Sequence, residues 1–310
     1  MKNKSILIIF NLKKREKYIY RYINILSHFV KSYDILIINN SSIKIDKTIN
    51  SKTFKIIIKN EKKNLKGMAD FFGCFFKYQK ILNQYRYAFF CDDDNFIFPD
   101  SIKKCEDFLN KNKNYIGASG KGFLFSEINR KFQFLNVYNL SNFNSKNLNS
   151  RIDQYNKHPA INFYSLIRVK NFLAISKSMR FLKDDNLAEL LLNILILLSG
   201  NIKSLKEVFL ARRYPRPQIY NIPKKNIWFS NENLIKEINL MIKLIKKFIK
   251  TNYLNIKFQI VHEKLIISYI AERLKQTSKK KLQLNFIKKI IIQNNKDYKK
   301  FKQIINSYEN

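Results

Sequence analysis

The sequence is poor in glycine and proline and in the cysteine and histidine on which disulfide-rich and zinc-stabilised folds depend. Its 310 residues include 3 cysteines, 3 histidines, 6 glycines and 5 prolines. Cys74, Cys91 and Cys105 form neither a CxxC pair nor a Cys/His array, so no disulfide framework and no zinc site are indicated. No two histidines have metal-ligand spacing. This cysteine usage fits a reducing compartment.

Long apolar runs are also missing. The longest, Leu187 to Leu198, is interrupted by Glu189 and Asn193 and is shorter than the roughly 20 residues that a bilayer-spanning helix needs. The run Ile6 to Phe10 is too short for the core of a signal peptide, and no small-residue cleavage site follows it. We therefore expect a cytoplasmic protein.

Acidic residues are scarce, with Asp+Glu 23 against Lys+Arg 59 and a formal net charge of +36. Such a charge ordinarily suggests nucleic acid or an anionic membrane as the partner. Here lysine is spread evenly along the chain together with Asn, Ile, Phe and Tyr, which is typical of a coding bias, whereas a nucleic-acid binder concentrates its charge. We expect no nucleic-acid partner. Attraction to anionic lipids and phosphorylated ligands follows from the charge whatever its origin.

Strands alternate with helices over the first hundred residues. The predicted strands are Ser5–Phe10, Ile35–Ile38, Phe54–Ile58 and Tyr87–Cys91, and the predicted helices are Arg15–Val30 and Ala69–Leu82. This alternation predicts a parallel sheet with helices on its faces. Ligands of such sheets bind beyond the carboxyl ends of the strands, where Asn40 and an acidic cluster lie.

The remainder of the chain is predicted to be mixed or antiparallel sheet followed by helices. The predicted elements are strands at Phe123–Phe125, Lys131–Leu135, Ile161–Val169 and Ser204–Ala211, a helix at Lys183–Leu198 ending at Gly200, and basic amphipathic helices over 234–249 and 290–305. We predict a main domain over residues 1–225 and a basic helical extension over 226–310. The extension fits helices packed on the main domain with a solvated lysine face, and peripheral contact with an anionic membrane is the alternative.

Three consecutive aspartates, Asp92, Asp93 and Asp94, follow the apolar run Tyr87–Cys91. A buried strand that ends there places Asp92 and Asp94 side by side at the edge of the sheet. Like charges repel unless a cation lies between them, and Mg²⁺ and Mn²⁺ suit one or two carboxylates plus substrate phosphates. The alternative is a polar loop of turn or capping residues, although a turn needs one Asp or Asn and not three plus Asn95.

In their order, these segments resemble the nucleotide-binding half of an inverting, family 2-like glycosyltransferase of the GT-A fold. The acidic segment is similar to a signature in bacterial glycosyltransferase-domain proteins that reads like CADDDFI-P. Asn64 to Ala69 resembles the Asn-x-Gly segment before that strand, and Asp184 to Leu190, with Gly200 downstream, resembles the Glu-Asp helix start. The resemblance covers about Ser5 to Arg213. It implies an α/β fold, a GT-A-type (Rossmann-like) mixed sheet with helices on both faces, plus the helical extension.

The resemblance also implies roles by position. Asp94 would be the direct ligand of Mg²⁺ or Mn²⁺, and Asp92 would reach the ribose or a metal-bound water. The cation would neutralise the charge that develops on the leaving nucleoside diphosphate. We expect the Asp94 side chain to lie in a surface cleft. The residues expected to bind the nucleotide sugar are Asn11, Asn40, Asn64, Asp92, Asp93, Arg212 and Arg213.

Asp185, or failing that Asp184, matches the family's catalytic base, which takes the proton of the acceptor hydroxyl during one in-line displacement. The alternative is that both carboxylates cap the helix that they begin. Arg212 and Arg213 have two interpretations as well, either a bidentate grip on the pyrophosphate or solvated basic residues after a strand.

Two departures from the family pattern affect the nucleotide. The first strand is followed by Asn11 and basic residues, where the family commonly has Pro-Thr-x-Asn-Arg. The second strand ends in Asn39-Asn40, where the family usually has an aspartate that accepts a hydrogen bond from the base. An amide oxygen still accepts such a bond, without the assistance of a charge. The sequence does not choose between uridine and other nucleotides.

The predicted function is an inverting, metal-assisted glycosyltransferase that uses a nucleotide-sugar donor and a glycan or lipid-linked acceptor in bacterial surface glycan synthesis. One alternative is a haloacid-dehalogenase-like phosphatase with Asp92 as its nucleophile. That motif usually lies on the first strand and continues with a small β-branched residue, whereas Asn95-Phe96 follow here. The other alternative, a non-enzymatic nucleic-acid binder, is motivated by charge alone.

Overall fold

A computed structural model describes residues 4–12, 15, 18–20, 22–23, 33–41, 45, 54–128, 131–140, 142–145, 147–157, 162–214, 233–252 and 256–270. Of the predicted helix Arg15–Val30, residues 18–20 and 22–23 are helical and most others lie outside the described residues. The predicted helix over 290–305 lies wholly outside them.

Within the described residues, nine strands form one mixed sheet. They are β1 (Ser5–Leu12), β2 (Tyr33–Asn40), β3 (Ile56–Asn60), β4 (Tyr87–Cys91), β5 (Phe96–Ile97), β6 (Tyr115–Ile128), β7 (Lys131–Asn139), β8 (Leu166–Arg168) and β9 (Asn201–Arg213). Their order is β3-β2-β1-β4-β8-β6-β9-β5, with β7 paired to β6.

Strand directions bring the carboxyl ends of six described strands, β1 to β4, β6 and β9, to one edge of the sheet. β1 pairs in parallel with β2 and β4, and β2 pairs in parallel with β3. β8 is antiparallel to both β4 and β6, and β6 is parallel to β9. β9 therefore points the same way as β4, and its last residues lie at the edge where β1 to β4 end.

The first strands form because their sequences are continuous apolar runs, as expected for parallel strands covered on both faces. All eight residues of β1 are buried, and so are all but the last of β2. Both strands extend two residues beyond their predicted carboxyl ends. Asn11, Asn39 and Asn40 consequently belong to the strands themselves.

The helices are α1 (Met68–Lys77), α2 (Gln79–Leu82), α3 (Pro99–Lys111), α4 (Leu148–Lys157), α5 (Val169–Met179), α6 (Asp185–Ser199), α7 (Leu234–Thr251) and α8 (Phe258–Val261), which continues as a π-helical turn, His262–Ile267. A 3₁₀ turn, Asn162–Tyr164, precedes β8.

Helices cover both faces of the sheet. On one face, Phe10 of β1 packs against Phe71 and Phe75 of α1. On the other, Ser5 of β1 donates a hydrogen bond to Glu106 of α3. Positions 5 and 10 of one strand point to opposite faces because side chains alternate along a strand. The predicted layering is therefore confirmed.

The prediction for the middle of the chain was wrong in part. Residues 162–164 form the 3₁₀ turn, β8 covers Leu166–Arg168, and Val169 already begins α5. The buried residues of α5 include Val169, Phe172 and Ser176, which are spaced as on one face of a helix. In a short apolar run, periodicity alone does not distinguish a buried helix from a buried strand. The predicted strand Phe123–Phe125 is only part of β6.

The extension packs on the main domain through α7. Its buried residues include Leu234, Ile238, Met241 and Ile245, and α7 contacts α6. The lysines of its outer face are exposed at positions 236, 243, 246, 247 and 250. Among the described helices, none combines the length and the apolar character needed to cross a bilayer.

Candidate functional site

The three aspartates lie in a tight turn immediately after β4. The backbone N–H of Asn95 donates to the Asp92 carbonyl at 3.2 Å and closes the turn. The side-chain oxygen of Asn95 accepts a hydrogen bond from the backbone N–H of Arg213 at 3.0 Å. Because Asn95 is 2% exposed, this bond fixes the acidic turn to the carboxyl end of β9.

Arg15 forms a buried ion pair with two of the aspartates. Its Nε lies 3.1 and 2.9 Å from the carboxylate oxygens of Asp93, and its Nη2 lies 2.5 Å from Asp93 Oδ1 and 3.0 Å from Asp94 Oδ2. Arg15 is 7% exposed, and both aspartates are 4% exposed. The backbone of Arg15 bonds back to Leu12 at 3.0 Å, so its position follows from the end of β1.

Burial and charge set the ionisation of this cluster. Burial raises the pKa of Asp93 to about 6, although Arg15 opposes the shift. Burial alone would lower the pKa of Arg15, but the hydrogen bonds and charges of Asp93 and Asp94 raise it above its ordinary value. The ion pair is thus formed at neutral pH. The expectation that Asp94 lies in a surface cleft is wrong, because Arg15 and the turn bury it.

Asp92 is the half-buried member of the turn. Its Oδ2 accepts hydrogen bonds from Tyr164 Oη at 2.5 Å and from Asn95 Nδ2 at 3.1 Å. Tyr164 belongs to the 3₁₀ turn, whose Phe163 packs on Phe90 of β4 with ring centroids 4.3 Å apart. Sequence reasoning missed Tyr164 because it assigned this segment to a strand.

Arg212 and Arg213 end β9 beside the same turn. The guanidinium carbon of Arg212 lies 6.0 Å from the centroid of the Tyr164 ring. Arg213 donates from Nη1 to Tyr18 Oη at 2.8 Å, and the Tyr18 ring also contacts the Arg15 guanidinium at 4.9 Å. Two sequence-predicted residues of the nucleotide site therefore lie next to the acidic turn.

The two candidate bases have different environments. Asp184 is the N-cap of α6 and accepts from the backbone N–H of Leu187 at 2.9 Å, as the capping interpretation predicts. Asp185 Oδ1 instead accepts from the backbone N–H of Met68 at 3.0 Å, which joins the first turns of α6 and α1. Burial raises the pKa of Asp185, and the Met68 bond opposes that shift.

Gly67 makes room for the Asp185 carboxylate. A Cβ atom at position 67 would lie 2.7 Å from Asp185 Oδ1. The backbone of Gly67 is extended, with φ −177°, a conformation that any residue adopts. The glycine therefore leaves the space in which the Asp185 carboxylate lies, next to the Asn64-containing segment that the sequence associated with the nucleotide.

Three asparagines on neighbouring strands form an amide ladder, which we define as Asn11, Asn39 and Asn60. Asn11 pairs in register with Asn39, and Asn39 with Asn60. Asn11 Nδ2 donates to Asn39 Oδ1 at 2.8 Å, and Asn39 Nδ2 donates to Asn60 Oδ1 at 2.9 Å. The backbone N–H of Ser41 also donates to Asn39 Oδ1, at 3.3 Å, which fixes the orientation of that amide.

The amide ladder leaves one acceptor unused. Asn11 Oδ1 is buried and has no hydrogen-bond partner. Its orientation is fixed because Asn11 must present its NH₂ group to Asn39. A buried acceptor without a hydrogen-bond partner is costly. Sequence reasoning named Asn11 for the nucleotide site and Asn39 at the place of the family's aspartate, and it missed only Asn60, although an asparagine near the end of each strand was the available signal.

Asn40 lies beside the amide ladder and holds a loop. Its Nδ2 donates to the carbonyls of Glu61 and Lys63 at 3.1 and 2.6 Å, and its Oδ1 accepts from the backbone N–H of Leu65 at 2.9 Å. These bonds shape the loop that carries the exposed Asn64. Binding of nucleotide by Asn40 and Asn64 stays a prediction.

The carboxylates of the acidic turn supply only some of the ligands that a hard divalent cation needs. Among the described residues, no three His, Cys, Asp or Glu side chains are grouped to hold a metal ion. Asp92 and Asp94 offer carboxylate oxygens at the carboxyl end of β4, which fits the one or two protein carboxylates that Mg²⁺ takes beside water and phosphate oxygens. The residues thus fit a cation whose remaining ligands come from a substrate.

No family model and no curated protein matches this chain. Solved structures do match. S. aureus TarS 1–349 in complex with UDP-GlcNAc aligns with a TM-score of 0.53 and 13% identity over 92% of this chain and 79% of that chain. The complex with UDP aligns with a TM-score of 0.50 and 14% identity over 92% and 78%. This likeness confirms the α/β fold with a GT-A-type mixed sheet.

Proposed function

We propose that this chain is an inverting glycosyltransferase that transfers a sugar from a nucleoside-diphosphate donor to an acceptor hydroxyl. The observation that carries the proposal is the convergence of the Asp92–Asp94 turn, Arg212 and the amide ladder at one edge of the sheet. Ligands of open α/β sheets bind at this edge. The shared fold of a protein crystallised with UDP-GlcNAc and with UDP supports the choice of ligand.

The donor would lie with its base near the amide ladder and its diphosphate near the acidic turn. The unused oxygen of Asn11 would accept a hydrogen bond from a base that offers an N–H group, once the neighbouring side chains that bury this oxygen make room for it. Arg212 brings a positive charge to the diphosphate end of the site. Asp93 would not contact the nucleotide directly, because its carboxylate is bound by Arg15. It would contribute to nucleotide binding by stabilising the conformation of the turn.

Asp94 and Asp92 would hold Mg²⁺ or Mn²⁺ beside the diphosphate. When bound, the cation supplies Lewis-acid stabilisation of the charge that develops on the leaving nucleoside diphosphate. Tyr164 and Asn95 orient the Asp92 carboxylate for this purpose. Arg15 orients that of Asp94.

We assign the base to Asp185 and the helix cap to Asp184. The Asp184 carboxylate already serves the first turn of α6, whereas the raised pKa of Asp185 makes its carboxylate a stronger proton acceptor. Asp185 would take the proton of the acceptor hydroxyl as the oxygen attacks the anomeric carbon from the side opposite the leaving group. A single displacement of this kind inverts the anomeric configuration. The acceptor would be a glycan or a lipid-linked sugar of a bacterial surface polymer.

A thermal-shift screen of sugar nucleotides with and without Mn²⁺ tests the proposal. A true donor raises the melting temperature by mass action, and Asp94→Asn removes the part of the shift that depends on Mn²⁺. NMR of the product then reports the anomeric configuration. A phosphoenzyme trapped on Asp92, with no stabilisation by any sugar nucleotide, would replace this function with that of a phosphatase.

The exposed lysines of α7 support peripheral contact with an anionic membrane surface as part of this function. The apolar side of the helix is buried in the protein, so the contact would be electrostatic and sensitive to salt. Co-sedimentation with vesicles that contain phosphatidylglycerol, compared with pure phosphatidylcholine, measures it. Binding that is equal for the two vesicle types would exclude this role.

A further inference from the structure

The buried ion pair of Arg15 involves the carboxylates on which cation binding depends. One guanidinium contacts both oxygens of Asp93 and one oxygen of Asp94, at distances between 2.5 and 3.1 Å. All three side chains are less than a tenth exposed. The acidic turn therefore already contains one positive charge that belongs to the chain itself.

That charge opposes a second cation at the same carboxylates. A divalent ion on Asp94 would lie within a few ångströms of the guanidinium, and like charges at that separation repel strongly in a buried setting. It would also have to share Asp94 Oδ2 with Arg15 Nη2. The third carboxylate of the turn, that of Asp93, is already held by Arg15, and among the described residues no three His, Cys, Asp or Glu side chains are grouped to hold a metal ion.

A nucleoside diphosphate changes this balance. Its phosphate oxygens supply ligands and negative charge together, and Mg²⁺ and Mn²⁺ ordinarily bind with such oxygens beside one or two protein carboxylates. The added charge also interacts favourably with Arg15. The repulsion that opposes the ion in the free protein is then offset.

We propose that Arg15 is a positioning residue that serves as the internal cation of the acidic turn, and that it keeps divalent ions off Asp94 until a donor diphosphate arrives. The cation then binds together with the nucleotide and not before it. Removal of the Arg15 charge makes the free protein a better metal site. This inference rests on the proposed function.

The experiment measures Mn²⁺ binding by the electron paramagnetic resonance signal of the free ion, with no turnover required. Wild type, Arg15→Gln and Lys104→Gln are compared in the absence and presence of UDP. Lys104 forms an exposed ion pair with Glu207 on α3 and β9, so its substitution removes the same charge away from the turn. We expect Arg15→Gln to bind Mn²⁺ at least tenfold more tightly than wild type without UDP, and Lys104→Gln to match wild type.

UDP should tighten Mn²⁺ binding far more in wild type than in Arg15→Gln. Equal affinity of wild type and Arg15→Gln for Mn²⁺ without UDP overturns the proposal. The proposal is also overturned if Lys104→Gln gains as much Mn²⁺ affinity as Arg15→Gln, because the effect would then come from the net charge of the protein. Tight Mn²⁺ binding by the wild-type protein in the absence of UDP also overturns the proposal. Because this result needs no variant, the test stays valid if Arg15→Gln does not fold.

Arg15→Lys retains the charge, and we expect it to fold and to bind Mn²⁺ as weakly as wild type. Circular dichroism checks the fold of each variant. Failure of the proposed function is recognised separately, by calorimetry of UDP and UDP-GlcNAc. If neither binds in the presence of Mn²⁺, the donor assignment fails, whereas the comparison of the nucleotide-free proteins still decides the role of Arg15.

Discussion

Glu237 accepts hydrogen bonds from the backbone N–H group of Asp184, at 3.5 Å, and from that of the preceding residue, Lys183, at 3.1 Å. Glu237 lies on α7, and Asp184 is the N-cap of α6. Tyr269 bonds to the Asn186 carbonyl in the same turn of α6, at 3.4 Å. The C-terminal helices thus hold the turn that presents Asp185.

Glu237→Ala should lower catalysis more than it lowers donor binding, because it loosens the turn that carries the proposed base. We expect the free energy of unfolding to fall by about 1 kcal/mol, the usual cost of a lost hydrogen bond. Steady-state kinetics should show a reduced kcat with a nearly unchanged KM for the donor. Glu237→Gln retains an acceptor oxygen and should restore kcat, and failure of that rescue would contradict a positioning role.

Asp185→Asn should remove the base and leave the fold intact, since the amide oxygen still accepts from Met68. General-base catalysis contributes typically 10²–10⁴-fold, and we expect a loss of roughly that size in kcat. In the wild type, the acid limb of the pH profile should lie above the ordinary aspartate value of 3.8, because burial raises the pKa of Asp185. Activity should fall as the pH drops through that raised value.

Asp184→Asn is the matched control for Asp185→Asn, because asparagine caps a helix as well as aspartate does. It should keep near wild-type activity. A loss at position 184 with full activity in Asp185→Asn would reverse the assignment of the two carboxylates.

Gly67→Ala should impair catalysis through a contact and not through backbone strain. The new Cβ would lie 2.7 Å from Asp185 Oδ1 and displace that carboxylate. We expect at least a tenfold loss in kcat, on the scale of about 1.4 kcal/mol in the barrier. Gly73→Ala is the control, since its Cβ would come no closer than 3.9 Å to any neighbour. Equal activities of the two variants would refute the contact.

Tyr164→Phe should weaken donor binding in the presence of Mn²⁺. The ring still packs beside Phe90 and Phe163, but Asp92 loses the hydroxyl that donates to it at 2.5 Å. A hydrogen bond to a charged group contributes about 1.5–3 kcal/mol, so we expect a tenfold or greater rise in the Kd for UDP with Mn²⁺. Calorimetry with and without the ion measures it. An effect of the same size without Mn²⁺ would argue for a contact to the nucleotide instead.

Glu106→Gln should stabilise the protein at neutral and alkaline pH. Burial raises the pKa of Glu106 above its ordinary value of 4.5, although the hydroxyl of Ser5 opposes the shift. A carboxyl group whose pKa is higher in the folded chain makes the free energy of unfolding fall as the pH rises from about 4.5 through the folded value. Glutamine has no such dependence.

Thermal melts of wild type and Glu106→Gln across this range measure the effect. The Tm of the variant should exceed that of wild type above the window, and the difference should vanish below pH 4.5. Exposed Asp107→Asn on the same helix is the control and should show no comparable gain. A constant difference at all pH values would show that the charge is not the cause.

Much of the fold was predictable because parallel strands are continuous apolar runs. β1, β2 and β4 were placed from such runs, and the N-cap at Asp184 and the end of α6 at Gly200 follow local rules of helix termination. The 3₁₀ turn at Tyr164 and the full length of β6 were not predictable in this way. Their conformations depend on neighbours that are distant in sequence.

Local hydrophobicity followed by polar residues is enough to define the strand that delivers Asp92, Asp93 and Asp94 to the edge of the sheet, so this strand could be read from the residues alone. The contacts of those carboxylates depend on the folded chain as a whole. Arg15 reaches them across 78 residues of sequence, and Tyr164 reaches Asp92 across 72. Pairing over such separations is set by strand order and packing, which no local pattern encodes, so the charge balance of the acidic turn was fixed by the fold.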